Sequence, residues 1–195
     1  MNPNAGFSQR ARFLPRQWQR QHWNRFVNVL VFNALWPVCV IGAAKGLVWP
    51  GVLLSLALLA WHLVPLHRVR GDGVLVLLCL SVGTLLDTLW IRLAWLDFAS
   101  PGPYPLWAPL WIVALWLGFA LALNHSLQWL QRWPITAATS FIFFAPFSYF
   151  MASRLGAVSW TGDFLITALV IGISWSVLMA FLLTLARRMR TSGEQ

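Results

Sequence analysis

Hydrophobic residues run along this chain in long blocks, broken at intervals by Gly, Pro, Arg and Asp, and the block lengths set the first expectation. A helix needs about 20 apolar residues to cross the hydrocarbon core of a bilayer, within a range of roughly 17–25. Six blocks fit: 26–44, 47–66, 74–96, 106–127, 135–151 and 164–186. Only Lys45 and Gly46 separate the first two. As one helix the 41 residues from Phe26 to Leu66 would reach about twice the hydrocarbon thickness, so they predict a helical hairpin. HRVRGDG, DFASPGPYP, WLQRWP and RLGAVSWTGD separate the remaining blocks and carry residues expected of turns. The expected fold is all-α, a polytopic membrane protein built as a six-helix transmembrane bundle.

Charge gives this bundle a direction. One side receives Arg10, Arg12, Arg16, Arg20, Arg25, Arg68, Arg70, Arg132, Arg187, Arg188 and Arg190, whereas the other receives Lys45, Arg92 and Arg154. Eleven against three predicts that both termini are cytoplasmic, because basic residues accumulate on that side. Residues 1–25 then form a basic, amphipathic cytoplasmic extension, 26–186 the transmembrane domain and 187–195 a basic cytoplasmic tail. A cleaved secretory signal at 26–44 is the competing reading, but that block contains Asn33 and Pro37 and leads straight into another apolar helix.

Composition agrees. Of 195 residues, 59% are hydrophobic and 10% charged, whereas roughly a quarter of a soluble domain is charged. The formal charge of +9 sits mostly at block ends, which points to membrane lipids as partners and leaves no nucleic-acid partner expected. Cys39 and Cys79 both lie within apolar blocks and act as small hydrophobes. No metal site or cofactor is expected, and HExxH, Walker and GxSxG patterns are absent from the sequence.

The polar interruptions carry the candidate chemistry. At helical spacing Gly51, Ser55, Leu58 and His62 share a face, as do Leu80, Gly83, Asp87 and Ala94, and as do Leu115, Gly118, Ala122 and His125. Small residues beside ionisable ones predict faces turned into the bundle. Asp87 is costly within an apolar helix unless neutralised, hydrogen-bonded or watered, and it is read either as a packing determinant or as a site for substrate, ion or proton. Asn28, Asn33, His62, Asn124, His125 and Ser126 fall at similar depth near the inner leaflet and predict a polar pocket, or else interhelical hydrogen bonding. Asp87 and His125 are expected to lie about 15–20 Å apart along the membrane normal, too far for a dyad. His67, Arg68 and Arg70, with Asp72 in the same loop, are candidate headgroup contacts or plain anchors.

Three functions compete. The first is a lipid- or partner-binding accessory protein, with a membrane-protein partner or a second copy of the chain as its companion. The second is a small proton-coupled transporter or lipid carrier using Asp87. The third is a membrane-embedded lipid-modifying enzyme using His62 and His125. No residue is assigned as catalytic; Asp87, His62 and His125 are the candidates, and the balance is against an enzyme.

FNALWPVCVIGA, VGTLLDTLW and PLWAPLWIVALWLGFALALNHSLQWL together resemble the DUF2878 family of uncharacterised bacterial integral membrane proteins, over roughly residues 25–185. The resemblance implies a multi-pass protein of the bacterial inner membrane, with Asp87 and Asn124-His125-Ser126 in the family's pattern. It also implies an association with lipid-modification genes, and it supplies no activity or ligand. On the six-helix expectation, reporter fusions after residues 45, 70, 100, 132, 158 and 195 should alternate, beginning outside. A cytoplasmic signal at 45 or an external one at 195 would refute that topology.

Overall fold

A computed structural model describes residues 16–102 and 104–191, with side-chain surroundings from Trp23 onward. Six helices follow one another among the described residues: α1 (Arg16–Ala44), α2 (Trp49–Leu63), α3 (Asp72–Arg92), α4 (Leu110–Leu123), α5 (Pro134–Arg154) and α6 (Phe164–Thr191). A 3₁₀ turn, Gln128–Arg132, precedes α5. Two three-residue strands, β1 (Leu96–Phe98) and β2 (Val158–Trp160), pair antiparallel with Leu96 opposite Trp160 and clip the α3–α4 connection to the α5–α6 connection. The packing is all-α apart from this clip.

Four helices are long and apolar enough to cross a membrane: Trp23–Ala44 of α1, and α3, α5 and α6. The apolar helices α2 and α4 have 15 and 14 residues and reach roughly 22 and 21 Å, short of a hydrocarbon core of about 30 Å. The expectation of six full-length spans is therefore corrected to four, and the cause is local. Pro65 drives Val64 into an extended conformation (ψ 127°) and ends α2, while α4 starts only after Pro109 and stops at Asn124. Block 135–151, by contrast, grows into the 21 residues of α5.

α1 begins at Arg16, so residues 16–25 of the expected extension continue the first helix. Residues 1–15 of that extension and 192–195 of the expected tail lie outside the described residues.

The short α4 is the centre of the molecule. Ten of its fourteen residues are buried, as expected of a helix that is apolar all round and enclosed on every side. α1, α2 and α3 surround it, and α5 pairs closely with α6. The long helices instead carry exposed apolar side chains, among them Leu30, Leu77, Phe143 and Leu165, a surface suited to lipid.

The predicted inward face of α2 is the observed one: Gly51, Ser55, Leu58 and His62 are its buried residues. On α3 the row differs from the expected one. Gly83 and Asp87 are buried in line with Leu75 and Cys79, whereas Leu80 is half-buried and Ala94 exposed. These buried positions are four apart, a step that would rotate by about 40° in a regular helix; the π-helical turn Cys79–Gly83 absorbs part of that drift.

At the α5–α6 contact, a Cβ on Gly172 would lie 2.3 Å from the Ile142 carbonyl oxygen. Backbone cannot yield as a side chain can, so Gly172→Ala should separate the helices and destabilise the protein by about 1–3 kcal/mol. A thermal melt in detergent checks this, and an unchanged Tm would refute so close an approach.

Candidate functional site

At the carboxyl end of α4 a buried polar network joins segments distant in sequence. The loop before α3 turns Asp72 inward, and its carboxyl accepts from the backbone N–H of Val69 (2.8 Å), Asn124 Nδ2 (2.9 Å) and His125 Nε2 (3.2 Å). Asn124 Oδ1 in turn accepts from Gln131 Nε2 at 3.1 Å, and the same amide donates to the Leu123 carbonyl at 2.9 Å. The His125 ring meets that of His62 edge to face, with centroids 4.2 Å apart. His62 Nδ1 donates to the Leu58 carbonyl at 2.8 Å, which leaves Nε2 to accept from Asn28 Nδ2 at 3.4 Å. Asn28 Oδ1 closes the chain by accepting from the Ser126 backbone N–H at 3.2 Å.

Asn28, His62, Asp72, Asn124, His125 and Gln131 are all at most 5% exposed. Such a network is tolerable only when its members satisfy one another. Beside it lies a cleft of about 570 Å³ reached by His125, Ser126 and Gln131, and by Arg25 of α1, Arg132 of the 3₁₀ turn and Arg187 and Arg190 of α6. No acidic residue lines this cleft among the described residues. The Ser126 hydroxyl is buried there without a hydrogen-bond partner.

Asp87 occupies a separate centre. Trp116 Nε1 of α4 donates to one carboxyl oxygen at 2.7 Å and the Tyr149 hydroxyl of α5 donates to the other at 2.5 Å. Gly83, one turn before Asp87, makes room for this: a Cβ there would lie 2.1 Å from the Trp116 ring. Asp87 is 1% exposed and forms part of the wall of a cavity of about 220 Å³ to which ten aromatic side chains contribute. Trp116 stacks on Trp175 at 4.5 Å between centroids, and Phe119 meets both edge to face.

Five of the six residues expected to form a polar pocket come together: Asn28, His62, Asn124, His125 and Ser126. Asn33 does not join them; its amide turns back onto the Val29 carbonyl of its own helix at 2.7 Å. His67 stacks on Trp61 with centroids 4.2 Å apart and bonds the Trp61 carbonyl, while Arg68 and Arg70 are exposed. Asp72 and Gln131 are the functional candidates that sequence reasoning missed. By sequence Asp72 belongs with His67, Arg68 and Arg70 in a polar loop; the signal for its inward turn is that this loop and both histidines fall at the same ends of the apolar blocks. Asp87 and His125 belong to different centres, as the depth argument required. Among the described residues no group of three His, Cys, Asp or Glu could hold a metal ion.

Asp72→Ala would strand three donors, and each buried group left unsatisfied costs about 1–3 kcal/mol. The expected loss is about 3–5 kcal/mol, with Asp72→Asn intermediate because one acceptor oxygen survives. Thermal melts of the three proteins in one detergent test the order, and Ala equal to wild type would show the network to be dispensable for stability.

No curated protein and no solved structure matches the chain. One family does, the proteins of unknown function DUF2878, over residues 25–181. That span takes in α1 from Arg25 through most of α6, and with it both polar centres. The chain belongs to the DUF2878 family and is a multi-pass bacterial membrane protein of unknown molecular function.

Proposed function

We propose that this protein is a non-catalytic accessory protein of the inner membrane that binds the phosphate group of an anionic lipid in the arginine-lined cleft. The observation that carries the reading is the convergence of Arg25, Arg132, Arg187 and Arg190, from three segments far apart in sequence, on one cleft with no acidic wall among the described residues. Guanidinium groups match phosphate oxygens in geometry and charge, and the unpartnered Ser126 hydroxyl adds a neutral donor. His125 borders the cleft with its carboxylate partner, Asp72, behind it.

The direction of the arginine bias supports a cytoplasmic position for this cleft and for both termini, where anionic headgroups lie. In this reading α2 and α4 complete a six-helix topology, with their flanking turns spanning what their helical lengths do not.

The non-catalytic part of the proposal draws on the way the imidazoles are engaged. Both nitrogens of His62 are held, by Leu58 and Asn28, so that imidazole offers no free base, and Asp72 fixes the orientation of the His125 ring through Nε2. The network is then the rigid floor of a headgroup site.

Native mass spectrometry of protein taken from equimolar phosphatidylglycerol and phosphatidylcholine tests the proposal. A one-to-one phosphatidylglycerol adduct is expected, falling about tenfold in a protein carrying Arg132→Gln and Arg187→Gln. Arg68→Gln with Arg70→Gln, in the exposed loop, should leave it unchanged. Equal losses from both pairs would mean diffuse attraction only. Retention of inorganic phosphate in place of lipid would identify a soluble anion as the ligand.

A further inference from the structure

The aromatic cavity around Asp87 is unlike the arginine cleft in every chemical respect. Its walls come from α1, α4, α5 and α6, with Asp87 contributed by α3 and the β1–β2 clip at one end, and Asp87 is the one charged residue among them. No Lys, Arg or His lines it among the described residues. The cavity reaches the lipid-facing surface beside α5, since Phe144 forms part of its wall and is 64% exposed. Trp36 Nε1 of α1 donates to Ser148 Oγ of α5 at 3.0 Å and bridges the two helices across it.

A carboxyl group at such a position invites a countercharge. Both of its oxygens accept, one from an indole that can only donate and one from a phenol, the pattern expected around a carboxylate, and each oxygen keeps capacity for a further donor. Two neutral donors offset only part of the cost of a charge in hydrocarbon. Aromatic walls favour a positive guest a second time, because ring faces carry negative potential that attracts ammonium groups, most strongly in a dry site. A neutral hydrocarbon chain would use the walls and ignore the carboxyl.

From this geometry we infer that the cavity binds a lipid-soluble ammonium cation, entering from the bilayer between α1 and α5, with Asp87 as its countercharge and the surrounding rings as its cage. A volume of about 220 Å³ suits a small group, or the cationic end of a longer amphiphile whose tail remains in lipid. The site is independent of the proposed headgroup cleft, with which it shares no lining residue.

Two isosteric probes separate charge from shape: phenyltrimethylammonium and tert-butylbenzene differ only in a cationic nitrogen replacing carbon. Calorimetric titration of the full-length protein in nanodiscs of neutral lipid, with empty nanodiscs subtracted, should give saturable one-to-one binding of the cation, about tenfold tighter than of the hydrocarbon. Asp87→Asn should erase that preference. Ala145→Leu, which fills the cavity from α5 without touching the carboxyl, should weaken both probes. Arg132→Gln with Arg187→Gln should alter neither, which keeps this result apart from the fate of the cleft. Equal affinity for the two probes in the wild-type protein would overturn the inference in favour of an apolar guest, and it needs no variant to fold. Absence of saturable binding, or a cation preference that persists in folded Asp87→Asn, would overturn it as well.

Discussion

Inside a bilayer a polar atom has no water to turn to, and the hydrophobic effect does not press helices together. Both facts follow from one solvent, and the architecture depends on them. Small residues set the close approaches, as Gly172 does against the backbone at Ile142 and Gly83 against Trp116. Every strongly polar side chain drawn into the interior must then find its partner in another helix. Asp72, Asn124, His125, His62, Asn28 and Gln131 do this at one end of the bundle, and Asp87, Trp116 and Tyr149 do it elsewhere.

The short α4 is the element that both centres share. It supplies Trp116 to one and is followed directly by Asn124, His125 and Ser126 in the other, so its position sets the distance between them. Its fourteen residues are too few for a lipid-exposed span, yet its nearly complete burial makes length in lipid irrelevant to most of its surface. Four longer helices meet the lipid, and the enclosed helix between them is free to end where the polar network begins. A long apolar helix at that place would carry no such junction, because its polar end would lie beyond the bundle.

The two centres differ as a basic cleft differs from an anionic cavity. One gathers arginines from chain segments that adjoin the predicted cytoplasmic face, the other holds one carboxyl among rings. Keeping them apart leaves Asp87 to two neutral donors, Trp116 and Tyr149, with no arginine on its cavity among the described residues.

Much of the fold was legible in the sequence because the membrane demands long apolar blocks, and block length and turn residues are local quantities. The inward face of α2 was legible too, since Gly51, Ser55, Leu58 and His62 follow the period of a regular helix. The row on α3 was read less well because a π-helical turn changes the period, and hydropathy carries no mark of it. Five members of the buried network, Asn28, His62, Asn124, His125 and Ser126, stand out in the sequence as polar interruptions of apolar blocks, but a sequence does not say which way a side chain turns, so it groups Asn33 with them and leaves out Asp72 and Gln131. The sequence by itself determined an all-α membrane protein with polar side chains inside its helical bundle. Only tertiary structure decided that α4 is enclosed, that His125 takes Asp72 rather than Asp87 as its partner, and that four distant arginines border one cleft. Those are pairings between segments, and they depend on how helices rotate and approach one another, which no single helix encodes.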